Sequence, residues 1–76
     1  MTDLLPNAPR EYRFTVAEAI ASMQRELAYR VRVYERRVAE KKMTKAQADR
    51  EIAATHAWIA FAQTLPMDRV FTVAAP

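Results

Sequence analysis

A chain of 76 residues without Cys or Gly and with one His amounts to a single domain at most. It excludes disulfide scaffolds, thiolate metal sites and the glycine-rich loops that cradle phosphates. The net charge of +3, with a sequence pI of about 9.7, is compatible with an anionic partner without demanding one.

In chain order, residues 1–14 contain Pro6 and Pro9 and read as an extended N-terminal arm. Thr15 stands three residues before Glu18, and Thr44 three before Gln47, each just ahead of a run with helical apolar spacing. These are capping-box signatures. They predict an all-α antiparallel hairpin: one helix over residues 16–42, a tight glycine-free turn at Met43, and a second helix over 45–65 closed by Pro66. Residues 15–66 form the hairpin domain and 67–76 a C-terminal arm. In that arm, Arg69-Val70-Phe71-Thr72-Val73 alternates β-branched and aromatic residues, which suits a short strand or a packed arm. Phe-Thr-Val-Ala occurs at 14–17 and again at 71–74. Either this is chance, or both flanks lie at one end of the hairpin, where an arm can dock on a partner or swap across a dimer.

On the first helix, Val16, Ile20, Met23, Leu27, Val31, Tyr34 and Val38 fall along a narrow line. Such a stripe suits a coiled coil or antiparallel bundle. The opposite side carries Arg25, Arg32 and Arg36, with Arg30, Arg37 and Lys41 on one flank. The second helix is apolar or small in nearly every direction after Ile52, and one neighbour cannot cover it. The expectation is therefore a homodimer with a four-helix arrangement, joined through Ala53, Ala57, Trp58, Ala60 and Phe61. Leu27, Val31, Ile52, Trp58, Ile59 and Phe61 are expected to hold the fold.

Enzymatic chemistry is not expected. One Ser22, one His56 and no Cys supply neither an activated nucleophile nor a ligand set, and no cofactor or metal is implied. Protein binding is the leading function, with Tyr29, Arg32, Arg36 and Phe71 as contact residues, because Tyr and Arg dominate interface energetics. A nucleic-acid role would use the basic face of helix 1, through Arg25, Arg30, Arg37 and Lys41. A third reading is sequestration of a small anionic ligand between subunits, through Arg30, Arg37 or His56. The absence of Cys fits a reducing cytoplasm. Residues 1–7 lack a basic start and an apolar core, and no long uninterrupted apolar run exists, so neither a signal peptide nor a membrane span is expected.

The run Arg25-Glu26-Leu27, Arg30-Val31-Arg32-Val33-Tyr34, Val38, Lys42-Met43-Thr44, Ala48, Glu51-Ile52 and Ala57 resembles a group of short uncharacterised helical-hairpin proteins encoded in phages and prophages of proteobacteria. The resemblance covers about residues 23–65. It implies a phage-type accessory protein in the host cytoplasm, of a kind that often binds and disables a host factor. Where many of those proteins have Pro or Trp after the Val-Tyr step, this chain has Glu35-Arg36-Arg37.

Overall fold

A computed structural model describes residues 11–74 as β1 (Glu11–Thr15), α1 (Val16–Ala39), α2 (Lys45–Ala62) and β2 (Val70–Ala74). Both capping boxes form. Thr15 Oγ1 accepts the Glu18 N–H at 3.1 Å while Glu18 Oε1 accepts the Thr15 N–H at 2.8 Å. Thr44 and Gln47 repeat the exchange at 3.0 and 2.9 Å. Each box satisfies backbone donors that a helix start otherwise leaves bare.

Both helices end three residues earlier than their spacing predicts, and each for its own reason. At the end of α1, Lys41 adopts a left-handed φ of 61°. The Lys42 N–H then bonds the Arg37 carbonyl at 2.8 Å and the Lys41 N–H bonds that of Val38 at 3.0 Å. This is a Schellman ending in which lysine occupies the position glycine usually takes. At the end of α2, Thr64 Oγ1 donates to the Phe61 carbonyl at 2.7 Å. Pro66 then disfavours helical geometry at Leu65, and the chain turns, with the Arg69 N–H on the Pro66 carbonyl at 3.1 Å.

The hairpin is joined by an element that an all-α reading lacks. β1 and β2 pair antiparallel, with Phe14 opposite Phe71 and Tyr12 opposite Val73, so the inner parts of both arms form one two-stranded ribbon. The Val16 N–H also donates to the Arg69 carbonyl at 2.9 Å and the Ala17 N–H to that of Met67 at 3.0 Å. These bonds tie the start of α1 to the chain leaving α2. The remainder of the expected arms, residues 1–10 and 75–76, lies outside the described residues.

Val16, Ile20 and Ile59 make the buried cluster, with Met23, Leu27, Ala62 and Leu65 packed against it. Ala48 and Thr55 are also buried. Among the described residues no side chain falls below 2% exposure. The shape explains this, because the Cα extents are 47 × 37 × 14 Å, which leaves room for one layer of helix. A stable domain ordinarily closes its core between two packed layers.

Two expectations about the hairpin change at this level. Trp58 and Phe61, expected both to hold the fold and to join the dimer, stand 62% and 58% exposed, because Phe61 faces away from α1 and Trp58 lies sideways at the edge of the cleft between the helices. Arg30, expected as an anion contact, is partly exposed but already engaged by Glu26 on its own helix and by Thr55 across the hairpin. Its Nε donates to Glu26 Oε2 at 3.1 Å and its Nη1 to Thr55 Oγ1 at 3.3 Å, while that hydroxyl donates to the Glu51 carbonyl at 3.1 Å. The chain thus satisfies a buried hydroxyl by drawing on a cation from the facing helix.

Candidate partner-binding surfaces

Three surfaces differ in chemistry, and helical spacing produces two of them. On α2, Ala48, Ile52, Thr55, Ile59 and Ala62 face α1, which turns Ala53, Ala57, Ala60 and Phe61 outward, with Trp58 beside them. The rings of Trp58 and Phe61 meet edge to face with centroids 5.9 Å apart. No Asp, Glu, Lys or Arg occurs between Ile52 and Met67, so this outward face has no charge to hold water. Alanines beside the aromatic pair leave space for another backbone to come close.

On α1, the same geometry puts Arg25, Tyr29, Arg32 and Arg36 in one exposed row. The ion pairs among the described residues are Arg30–Glu26, Lys42–Glu40 and Lys45–Asp49. Arg25, Arg32 and Arg36 make none of them. Arg37 and Lys41 are exposed nearer the turn, and His56 is exposed on α2.

The ribbon supplies the third surface. Because opposite residues of an antiparallel pair share a face, Tyr12, Phe14, Phe71 and Val73 project together, with Phe14 stacked on Tyr12 at 6.5 Å and tilted against Phe71 at 6.2 Å. Phe71 separates two open clefts. One, of about 560 Å³, lies between Phe14, Phe71 and Val73 of the ribbon and Glu18, Ser22 and Arg25 of α1. The other, of about 400 Å³, runs between the helices past Ile20, Met23, Trp58, Ile59 and Leu65. Its lining is almost wholly apolar.

The structure therefore joins one residue of the expected contact set, Phe71, to a second, Arg25, that the sequence reading assigned to anions. Tyr29, Arg32 and Arg36 extend the same side of α1. The expected dimer residues Ala53, Ala57, Trp58, Ala60 and Phe61 are all exposed on α2. Sequence reasoning missed Phe14, Tyr12 and Val73 as surface residues; the alternation of aromatic and charged residues in Glu11-Tyr12-Arg13-Phe14 was the available signal.

The class of protein these features define is a two-helix hairpin clasped at its open end by a two-stranded ribbon. No family model, curated protein or solved structure matches the chain. Among the described residues, no three His, Cys, Asp or Glu converge as metal ligands, and no helix is long and apolar enough to cross a membrane.

Proposed function

We propose that the protein is a non-enzymatic binding module that dimerises through the outward face of α2 into a four-helix arrangement and holds and inhibits a host protein, as a phage-type accessory in the host cytoplasm. The observation that carries this reading is the uncharged α2 surface beyond Ile52, with Trp58 and Phe61 more than half exposed on a molecule whose Cα atoms span only 14 Å in the thinnest direction. Burying these two side chains stabilises an assembly by roughly 1.5–3 kcal/mol each. Large exposed apolar patches of this kind mark association surfaces. The cleft beneath the ribbon and the arginine row on α1 lie on other faces, so a dimer built this way leaves them open, whereas the cleft between the helices is bordered by Trp58 and is covered in part.

Sedimentation equilibrium over submicromolar to 100 micromolar protein, together with affinity capture from nuclease-treated host lysate, tests the reading. A reversible dimer that retains a host protein supports it. A folded monomer at every concentration removes the dimer, and a capture lost on nuclease treatment replaces the protein partner with nucleic acid.

A further inference from the structure

We propose that the α1 row of Arg25, Tyr29, Arg32 and Arg36, together with the cleft beneath the ribbon, is a docking site for an acidic amphipathic segment of a partner protein. The inference rests on the protein-binding reading above but not on the dimer. Its starting point is the continuity of two unlike surfaces at one residue. Arg25 lines the cleft with Phe14, Phe71 and Val73, and from it Arg32 and Arg36 continue along the exposed side of α1.

From Arg25 to Arg36 the row runs for about 16 Å at 1.5 Å per residue. A second helix lying alongside has the same rise, so carboxylates at seven- and four-residue spacing fall opposite these guanidiniums. Each guanidinium forms a planar fork suited to a carboxylate. None of the three is occupied by an ion pair among the described residues, whereas Glu26, Glu40 and Asp49 are already paired. The one carboxylate in the cleft, Glu18, is held by the Thr15 N–H and hydroxyl at 2.8 and 3.3 Å. It makes none of the ion pairs formed among the described residues, so the Arg25 guanidinium is left open.

Charge alone gives exposed pairs little strength; it sets specificity and association rate. The cleft supplies the complementary part. Its volume of about 560 Å³ between aromatic and small side chains admits one or two apolar side chains of the incoming segment, as helix-in-groove recognition requires. Bases stacked on Phe14 and Phe71 are the competing occupant. The arrangement favours a peptide, because the cleft is walled by α1 on its second side and the cations lie on a straight helical line.

The test is a selection of random peptides of about 16 residues, long enough as a helix to follow the row, displayed and enriched on the full chain. Recovered peptides are titrated by fluorescence anisotropy against wild type, the triple variant Arg25→Ala, Arg32→Ala, Arg36→Ala, and Val73→Ser, with circular dichroism to verify folding of each. Enriched peptides are expected to carry more Asp and Glu than Lys and Arg, with Leu, Phe or Trp at helical spacing. The triple variant is expected to weaken them by about tenfold or more, and Val73→Ser by several-fold. Neutral or basic winners, no winners, or equal binding to the folded triple variant overturn the site. So does a single-stranded oligonucleotide that displaces the peptides at lower concentration. If host protein is retained equally by the triple variant, the binding-module reading stands and this site falls.

Discussion

Phe14 and Phe71 are register partners across the ribbon, with ring centroids 6.2 Å apart. One immediately precedes the cap of α1 and the other follows the turn after α2, so their contact closes the open end of the hairpin. Phe71→Ala is expected to destabilise the fold by about 1–2 kcal/mol, since both rings are only partly covered. Urea unfolding measures the loss. Amide exchange is expected to accelerate first in Glu11–Thr15 and Val70–Ala74 while both helices stay protected.

Lys41 holds a left-handed φ of 61° for which a side chain carries a steric cost. Lys41→Gly is expected to raise stability by up to about 1 kcal/mol, and Lys41→Val to lower it. Thermal melts of the two variants give opposite signs if the Schellman ending is correctly placed.

Thr44 caps α2 through the Gln47 N–H at 3.0 Å. Thr44→Ala is expected to cost about 1 kcal/mol. A chemical denaturation midpoint unchanged from wild type would show that the second helix starts elsewhere.

Ile59 and Phe61 lie two residues apart on α2 and face opposite ways, the first 7% and the second 58% exposed. Ile59→Asp is expected to unfold the chain, because the carboxylate enters the Val16–Ile20 cluster without a partner. Phe61→Asp is expected to preserve helicity while shifting sedimentation toward monomer. Circular dichroism paired with sedimentation separates the two effects; a folded dimer from either variant contradicts the assignment of its face.

How much of this was legible in the sequence depended on the range of the interaction. The caps at Thr15 and Thr44 are three-residue signals and came through intact. The seam of Val16, Ile20, Met23 and Leu27 was readable for the same reason, since its period belongs to one helix. The helix ends were less legible: a lysine in the glycine position gives no composition cue, and Pro66 acts backward through Leu65. Ribbon pairing links Glu11 to Ala74, and only the recurrence of Phe-Thr-Val-Ala hinted at it. Trp58 and Phe61 show the limit of counting apolar residues, because hydrophobicity says that a side chain needs cover but not whether its own chain provides it. Similarly, the arginine row was visible on a helical wheel, but its junction with the cleft required the ribbon's position.

Ribbon pairing also determines how the molecule bears force. Glu11 and Ala74 are adjacent at the outer end of the ribbon, so a pull applied between them peels the strands apart one rung after another, starting at that pair, before either helix is loaded. Both residues lie at the end of the molecule away from the Lys41 turn. A pull between Lys41 and Glu11 instead runs along α1, whose backbone hydrogen bonds lie parallel to the load.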